Sequence, residues 1–396
     1  MSLARLALAK GLARHIRAGH PWVFRRAIER PPKLPAGSVV DLTENGKFVA
    51  RAYYDPHSHI CARILTLDPK ERIDAAFFQR RLGDALALRR SFLDLRDTDS
   101  FRLVHGEADG LPGVVVDLYA DFAVLKLYSA GLTAFRPLIV EALPATVGHL
   151  RGIVGRDEMN GEKANAQSAP AGKLWGEVPP ERLLIRERGV VFWVDVCRGQ
   201  KTGFFLDQRD NRALIRQLAR DKQVLNCFAY SGGFSVNAAL GGAAAVCSID
   251  SDAEAIALAE ENVRANGLDP KHHRFLVDDV FDLLAAFKQE GRSFDLVILD
   301  PPAFAKSQRA VERAIAGYAS LNRQALAVLR PGGLLATASC SARVTPEAFT
   351  GAIRGAAFNS GIELMLLEER YQPPDHPIRL HFPEGRYLKF FVLRRV

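Results

Sequence analysis

The chain has 396 residues, 48% hydrophobic and 25% charged, which is the balance of a soluble globular protein with two or three domains. No apolar run approaches the roughly 18 residues of a membrane helix, and we interpret the basic opening segment as mature protein rather than a signal peptide. The five scattered cysteines form no C-x-x-C pair, which excludes a zinc knuckle or disulfide framework, predicts no bound metal and fits a reducing cytoplasm.

The net charge of +8 is unevenly distributed along the chain. Residues 1–90 hold 17 Lys and Arg against 8 Asp and Glu, whereas the remaining 306 residues hold 36 against 37. Such a basic segment is typical of a protein that binds a polyanion such as RNA. A solvated face that only aids solubility has the same composition, so charge alone leaves both interpretations open.

The first half of the chain predicts two small domains joined by a helix. Short alternating apolar runs separated by turn residues predict a small β-rich barrel over residues 1–73. Residues 74–95 carry apolar side chains at three- and four-residue spacing and predict a connecting helix. Residues 101–198 then predict five strands and one helix, a central α+β domain, with an exposed loop over the polar stretch 156–173.

From about residue 200, strands alternate with helices. Strands are predicted at 223–228, 244–250, 274–279, 294–300, 334–340 and 386–395. This alternation predicts an α/β domain of Rossmann-like type with a doubly wound parallel sheet, whose ligands lie beyond the carboxyl ends of the strands. The predicted domains are therefore residues 1–73, 74–198 and 199–396.

The first strand of this domain leads into the loop "NCFAYSGGFS" and then a helix. Gly232 and Gly233 remove side chains where a ligand approaches the backbone closely. A dinucleotide site requires G-x-G-x-x-G for its pyrophosphate, and only the adjacent pair is present. The loop argues against a nicotinamide cofactor, although glycines are also common in turns that bind nothing.

Two acidic residues follow the next two strands. Asp250 stands at the position where a carboxylate accepts the hydroxyl hydrogens of an adenosine ribose, and Asp279 is placed to reach an adenine amino group. Each acid is also a candidate helix N-cap. Together with the loop they fit an adenosine-bearing ligand without phosphates, for which S-adenosylmethionine is the common example.

The fourth strand ends in "LVILDPPAF". Two prolines fix a stiff turn that presents Asp300 to the cleft, and Phe304 is placed to stack on an extruded base. A plain strand-terminating turn is the alternative.

The fifth strand ends at Cys340. A thiolate that adds to carbon 6 of a pyrimidine makes carbon 5 nucleophilic enough to attack a methyl sulfonium, so one hard step becomes two easier ones. A lone cysteine is more often structural, but this one follows the strand next to that of Asp300 and would face the same cleft. The turn after the fourth strand has no second thiol, so the base that removes the carbon-5 proton is unassigned; Asp300 and an ordered water are the candidates.

Taken together, the motifs resemble the bacterial 23S rRNA cytosine-5 methyltransferase I family, which has a PUA domain, a central α+β domain and a Rossmann-like methyltransferase domain. The motifs that carry the resemblance occur in family order along nearly the whole chain: "GHPWVF" (19–24), "GEADGLPGVVVD" (106–117), "GQKTGFFLDQRDNR" (199–212), "NCFAYSGGFSV" (226–236), "DPPAFAKSQ" (300–308), "SCS" (339–341) and "DHPIRLHFPEGRYLK" (375–389).

The resemblance implies S-adenosylmethionine as cofactor, a cytosine of 23S ribosomal RNA as target, Cys340 as nucleophile with Asp300 beside it, and a PUA domain that contacts RNA. It also makes a homodimer plausible. The implied cofactor residues are Gln208, Phe228, Ser231, Gly232, Gly233, Asp250, Asp279, Asp300 and Pro301. The residues predicted to contact RNA are Arg25, Arg26, Arg209, Phe304, Lys306 and Lys389.

The resemblance assigns no definite role to two parts of the chain. Residues 157–167 depart from the family pattern, so no role is transferred to them. His376 and Lys389 match the C-terminal motif, but catalysis, phosphate binding and packing all remain open for them.

Two other function classes are compatible with parts of the pattern. D-P-P followed by an aromatic residue also occurs in enzymes that methylate exocyclic amines, and guanine methyltransferases share the architecture; neither needs Cys340. An RNA-binding assembly factor with a vestigial methyltransferase domain would not bind S-adenosylmethionine. The sequence names neither the modified nucleotide nor the form of the rRNA substrate.

Overall fold

A computed structural model of the chain describes residues 3–30, 33–157, 172–305 and 308–396. These residues form two compact units. The first unit is drawn from Met1–Arg186, Asp195–Leu206 and Pro374–Gly385, and the second from Glu187–Val194, Asp207–Pro373 and Arg386–Val396. The chain therefore passes between the units several times. The domain boundaries at residues 73 and 198 stay predictions, and the loop predicted over 156–173 lies mostly outside the described residues.

The N-terminal segment of the first unit forms a five-stranded sheet. Its elements are β1 (Ala4–Ala7), α1 (Leu12–Arg17), β2 (Trp22–Phe24), β3 (Val39–Glu44), β4 (Lys47–Tyr54) and β5 (Ile60–Thr66). The strand order is β1-β3-β4-β5-β2, with β1 parallel to β3 and the other pairs antiparallel. The short apolar runs at 38–43, 47–54 and 59–67, on which the prediction of a β-rich segment rests, coincide with β3, β4 and β5, whereas β1, β2 and α1 are too short to show a period. Closure of this sheet into a barrel stays a prediction.

A second five-stranded sheet in the first unit packs against two helices. Its elements are α2 (Ala75–Arg90), β6 (Ser100–His105), β7 (Val114–Tyr119), β8 (Phe122–Leu127), α3 (Arg136–Val147), β9 (Gly152–Gly155) and β10 (Gly172–Gly176). The strand order is β10-β9-β8-β7-β6. Every residue of β7 and β8 is buried, because both faces of these central strands are covered. Asp74 begins α2 as its N-cap by accepting from the Phe77 backbone N–H.

The second unit contains a seven-stranded sheet, which follows two connecting strands. The two strands before it in the chain are β11 (Leu183–Glu187), of which all but Glu187 belongs to the first unit, and β12 (Val190–Val194) of the second. The strands of the seven-stranded sheet, in chain order, are β13 (Gln223–Cys227), β14 (Ala245–Asp250), β15 (His273–Val277), β16 (Phe294–Leu299), β17 (Leu329–Ser339), β18 (Leu364–Arg370) and β19 (Lys389–Arg395). The sheet order is β15-β14-β13-β16-β17-β19-β18. The first five strands in this order are parallel, as predicted, whereas β19 and the unpredicted β18 are antiparallel.

Six helices of the second unit connect these strands. They are α4 (Arg209–Leu218), α5 (Gly233–Leu240), α6 (Ala253–Ala265), α7 (Val280–Gln289), α8 (Val311–Ala327) and α9 (Pro346–Asn359). At both ends each lies within two residues of the helices that the sequence predicts at 208–219, 233–240, 252–266, 280–289, 310–329 and 346–358. Side-chain oxygens of Asp252, Asp279 and Thr345 cap the starts of α6, α7 and α9. Within the described ranges, no helix is both long enough and apolar enough to cross a bilayer.

Candidate active site

The loops after the parallel strands of the second unit meet at one edge of the sheet. Cys227, the last residue of β13, pairs with Ile249 on one side and Leu299 on the other, and Leu299 in turn pairs with Thr337 of β17. The residues that follow these strand ends are therefore neighbours. This edge brings together the loop after β13, the acids after β14 and β16, and the thiol after β17.

The loop between β13 and α5 has an unusual backbone. Phe228 and Tyr230 have φ values of 61° and 46°, and Gly232 has a φ of 78°. A non-glycine residue in this left-handed region costs on the order of 1–3 kcal/mol, so the surrounding structure must hold the loop in place. Gly232 is required for a second reason, because a Cβ at this position would lie 2.8 Å from the Cβ of Ala259 on α6.

Ser231, in the same loop, carries a buried polar atom without a partner. Its side chain is 1% exposed, and among the described residues its Oγ makes no hydrogen bond. The Ser231 carbonyl accepts a 2.9 Å hydrogen bond from Asn262 Nδ2, which fixes the backbone. A buried hydroxyl left unpaired is costly unless something else pairs with it, so this loop is suited to a polar ligand.

Asp250 holds this loop from the end of β14. Its carboxylate accepts hydrogen bonds from the backbone N–H groups of Tyr230 (2.8 Å) and Asp252 (3.1 Å). Burial raises the pKa of Asp250, and these two donors act in the opposite direction. The N-cap of α6 is Asp252 rather than Asp250, so the capping alternative for Asp250 is wrong.

Asp279 has the capping role that was its alternative interpretation. Its Oδ1 accepts from the backbone N–H groups of Phe281 (2.7 Å) and Asp282 (3.3 Å) at the start of α7. The residue is exposed at the same edge of the sheet. A contact between Asp279 and an adenine amino group stays a prediction.

Gln208 lies beside Asp300, as its assignment to the same site implies. Its Nε2 donates to Asp300 Oδ1 at 2.9 Å, and its Oε1 accepts from Asn211 Nδ2 at 2.6 Å. Gln208 is 2% exposed, so this short chain of amides is removed from water. Asn211 is not among the residues predicted for this site, although its position three residues after Gln208, about one helical turn away, is a signal for such a contact.

The thiol of Cys340 lies against the turn that follows Asp300. Its Sγ is 3.9 Å from the carbonyl oxygen of Pro301. The next residue, Ser341, is fixed by two contacts: its Oγ is 3.0 Å from the hydroxyl of Tyr318 and accepts from the Ala305 N–H at 3.4 Å. These contacts span 23 and 36 residues of sequence, so no local pattern announces the role of Ser341 or Tyr318.

Phe304 is half-buried on the same turn. Its ring centroid lies 4.7 Å from that of Tyr318, with an angle of 33° between the ring planes. Gly317 on α8 leaves room for it, since a Cβ there would lie 3.2 Å from the Phe304 ring. The ring is therefore held by α8, with one part still accessible. Lys306 lies outside the described residues.

Two of the residues predicted to contact RNA are buried in the second unit. The Arg209 side chain has no exposed surface. Lys389 is 1% exposed, and its Nζ donates to the carbonyls of Ser341 (2.7 Å), Val344 (2.9 Å) and Tyr387 (2.8 Å). In this structure neither side chain reaches the surface that RNA would contact.

Arg25 and Arg26 are exposed in the first unit, in a short 3-10 turn after β2. Together with Phe24, which is 39% exposed, and His59 they line an open groove. The guanidinium of Arg25 donates to the carbonyl of Pro56. The groove thus combines positive charge with an aromatic surface.

His376 lies in the first unit. It is 1% exposed, and its Nδ1 is 3.1 Å from Asp375 Oδ1. Its ring centroid is 5.1 Å from that of His105. These contacts favour packing, among the roles left open for His376.

Comparison with known proteins identifies two matching family descriptions. An S-adenosylmethionine-dependent methyltransferase family matches residues 129–378, and a PUA-like domain matches residues 6–67. Ribosomal RNA large subunit methyltransferase I from Cronobacter sakazakii is 41% identical over 390 residues, which is 98% of this chain and 98% of that protein.

Two solved structures are similar over almost the whole chain. An S-adenosylmethionine-dependent methyltransferase from Streptococcus mutans is 26% identical with a TM-score of 0.86, and the match covers 99% of this chain and 100% of that one. A methyltransferase in complex with S-adenosylhomocysteine is 26% identical with a TM-score of 0.87 and the same coverage. The α/β fold class, the PUA-like N-terminal domain and the cofactor are therefore as the sequence predicts.

Proposed function

The chain belongs to the S-adenosylmethionine-dependent methyltransferases of the ribosomal RNA large subunit methyltransferase I family, and we propose that it methylates carbon 5 of a cytosine in 23S rRNA through a transient bond to Cys340. The observation that carries this proposal is the 3.9 Å separation between Cys340 Sγ and the Pro301 carbonyl oxygen. This contact supports the proposal because Pro301 follows Asp300 after the carboxyl end of β16, and ligands of such α/β sheets bind beyond the carboxyl ends of the strands.

The residues at this edge fit S-adenosylmethionine. The unpaired Ser231 hydroxyl and the strained loop around Gly232 suit a polar, carboxylate-bearing group that approaches the backbone closely. Asp250 is suited to the ribose hydroxyls, and Gln208 orients Asp300. When bound, the cofactor supplies an electrophilic methyl group on a sulfonium.

The roles of the protein side chains follow from the chemistry of the cytosine ring. The Cys340 thiolate forms a bond to carbon 6, which moves electron density to carbon 5 and allows carbon 5 to take the methyl group. Asp300 is our candidate to accept the proton that carbon 5 then releases. Loss of that proton restores the carbon 5–carbon 6 double bond and breaks the carbon–sulfur bond, so Cys340 leaves as thiolate.

Phe304 is suited to receive the target base. An extruded base loses its stacking partners, and an aromatic ring can replace one of them. The ring of Phe304 is held against the ring of Tyr318. The part of the Phe304 ring that is still accessible is where the base would stack.

The basic N-terminal segment supplies the affinity for RNA. Its excess of positive charge attracts the phosphate backbone, and the groove of Phe24, Arg25 and Arg26 offers both a stacking surface and cations. Ribosomal RNA as substrate places the reaction in the cytoplasm.

The decisive experiment is trapping on RNA that contains 5-fluorocytidine. Fluorine replaces the hydrogen at carbon 5, so no proton can be removed there and the carbon–sulfur bond cannot break. The wild-type protein with S-adenosylmethionine should therefore form an adduct that survives denaturing electrophoresis. Cys340→Ala should form none and should transfer no methyl group to unmodified rRNA, while its affinity for S-adenosylhomocysteine stays unchanged. Full methylation by Cys340→Ala would instead favour an amine or guanine methyltransferase.

The target follows from a second measurement. Mass mapping of modified nucleotides in 23S rRNA from cells with and without the gene should show one 5-methylcytidine that depends on it. An unchanged map, together with no detectable binding of S-adenosylmethionine, would support a non-catalytic assembly factor.

A further inference from the structure

Lys389 is a buried cation next to the thiol. It is the first residue of β19 and pairs with Ser339, the last residue of β17, so it stands beside the residue that precedes Cys340. The side chain is 1% exposed. This location is unusual for lysine, which is almost never fully buried unless it is paired.

Within the part of the chain that the structure describes, the ammonium group of Lys389 has only carbonyl oxygens as partners. Its three donors are used by the backbone carbonyls of Ser341, Val344 and Tyr387, at 2.7, 2.9 and 2.8 Å. Among the described residues no carboxylate forms an ion pair with it. Hydrogen bonds to carbonyls satisfy its donors but leave its charge uncompensated, and a buried uncompensated charge is costly.

Two of those carbonyls belong to the turn that immediately follows Cys340. The ammonium therefore holds the turn from the β19 side through Ser341 and Val344. The opposite side is held by the Ser341 hydroxyl, which contacts Tyr318 and Ala305. The position of the thiol is thus set by contacts on both flanks of the residue after it.

The ammonium of Lys389 and the thiol of Cys340 interact electrostatically. Burial lowers the pKa of Lys389 from 10.5 to about 8, and the charge of Cys340 acts in the opposite direction. An ammonium that interacts with a thiolate stabilises it, and the thiolate in turn compensates the ammonium. Among the described residues, the titratable side chains with a printed contact to the turn are Tyr318 on α8 and Lys389 on β19; Arg343 lies in the turn itself and Asp300 follows β16.

We infer that Lys389 is a positioning residue for Cys340: its ammonium fixes the turn over residues 341–344 and stabilises the thiolate form of the nucleophile. The inference rests on the proposed role of Cys340. It replaces the RNA contact predicted for Lys389 from the sequence, since a side chain with three carbonyl partners and almost no exposure has no surface to offer a phosphate.

The test measures the thiol directly and needs neither RNA nor cofactor. The full-length protein is alkylated with iodoacetamide at pH 5.5 to 9.5, and peptide mass spectrometry gives the rate at Cys340. Cys197, which is half-buried in the first unit, serves as an internal reference in the same samples. The wild-type midpoint should lie below the roughly 8.5 of a free thiol.

Three variants, with a fourth in reserve, separate the effect of the Lys389 charge from the effect of its hydrogen bonds to the turn. Lys389→Met should raise the midpoint at Cys340 and slow alkylation at pH 7 by about tenfold. Lys389→Arg keeps the charge and should restore most of the rate. Ser341→Ala removes the clamp on the other flank and should leave the midpoint unchanged. Lys389→Gln, with a neutral donor, replaces Lys389→Met should that variant fail to fold by circular dichroism.

An unchanged midpoint in Lys389→Met, with or without a lower melting temperature, overturns the inference, because a purely structural lysine would behave in this way. The proposed function fails by a different observation, namely full methylation of rRNA by Cys340→Ala. Should Lys389→Met raise the midpoint while Cys340→Ala remains active, the assignment of Lys389 to thiolate stabilisation stands and the assignment of Cys340 to the reaction does not.

Discussion

The side-chain amide of Gln208 donates a 2.9 Å hydrogen bond to Asp300, although 92 residues of sequence separate them. The contact joins the segment before the first strand of the sheet to the turn that follows the fourth strand. It fixes one oxygen of the Asp300 carboxylate at the site.

Replacing Gln208 should therefore weaken cofactor binding. In Gln208→Ala the partly buried Asp300 carboxylate loses the hydrogen bond from Gln208. We expect the free energy of cofactor binding to weaken by about 1–3 kcal/mol, which corresponds to roughly a 5- to 150-fold rise in the Kd for S-adenosylhomocysteine. Isothermal titration calorimetry measures this. Gln217→Ala, which changes an exposed glutamine on α4, the helix that follows Gln208, is the matched control and should bind like the wild type. Equal affinities in both variants would remove Gln208 from the cofactor site.

Gly232→Ala should destabilise the second unit through two separate effects. The backbone φ of 78° disfavours any side chain, and the new Cβ would lie 2.8 Å from that of Ala259. Gly267→Ala is the control for the first effect alone, because Gly267 has a φ of 70° with no heavy atom within 4 Å of the built Cβ. We expect the free energy of unfolding to fall by about 1 kcal/mol in the control and by more in Gly232→Ala, with a correspondingly lower melting temperature. Equal losses would mean that the loop moves to accept the methyl group.

Phe304→Ala should impair use of RNA while the cofactor still binds. Loss of one stacking contact is worth about 1–3 kcal/mol, so we expect KM for RNA to rise about tenfold or more. The control is Phe358→Ala, since Phe358 is 85% exposed at the end of α9 and outside the site. Initial rates of methyl transfer to an rRNA fragment give the comparison. A fall in kcat with no change in KM would point to a role after the base has bound.

Arg25→Gln and Arg26→Gln should weaken RNA binding in a salt-dependent way. Each exposed guanidinium that contacts a phosphate contributes close to one unit to the slope of log affinity against log salt concentration. The double variant should therefore lower that slope by about two. Arg220→Gln, which removes an exposed arginine of the second unit, should leave the slope unchanged. The same slope in all the proteins would move the RNA surface elsewhere.

Acid should destabilise the first unit through His105. Burial, the neighbouring His376 and two arginines lower the pKa of His105 well below its ordinary value of 6.5, with Asp375 acting in the opposite direction. Below pH 6.5, His105 binds a proton in the unfolded chain but stays neutral in the folded chain. The free energy of unfolding therefore falls as pH falls, by up to about 1.4 kcal/mol per pH unit. Urea unfolding of the first unit at pH 7.5 and 5.5 measures this. His105→Phe should show a smaller loss between the two values.

The sequence locates the strand ends of the second unit well because its central strands are uniformly apolar and its helices carry recognisable caps. Phe294–Leu299 is nearly all buried, so its end, and hence Asp300, is unambiguous. Strand β18 escapes prediction because Met365, Leu366 and Leu367 are exposed apolar residues in a row, with neither strand nor helix period. An edge strand need not alternate.

The site is predictable where one residue follows one strand, and unpredictable where distant segments meet. Tyr318 and Ser341 act through a contact that only the fold creates. Lys389 is the instructive error, because a lysine beside an apolar strand is normally assumed to point outward. Its burial is decided by carbonyls of a turn almost fifty residues earlier.

The path of the chain through the two units determines which segments a fragment must contain if one unit is to be produced separately. Residues 374–385 belong to the first unit, yet they stand between β18 and β19 of the second. A single cut after residue 206 would leave this twelve-residue excursion without its packing partners and would also discard residues 187–194. A working fragment would need a short designed bridge from Pro373 to Arg386, together with the 187–194 strand returned at its amino terminus.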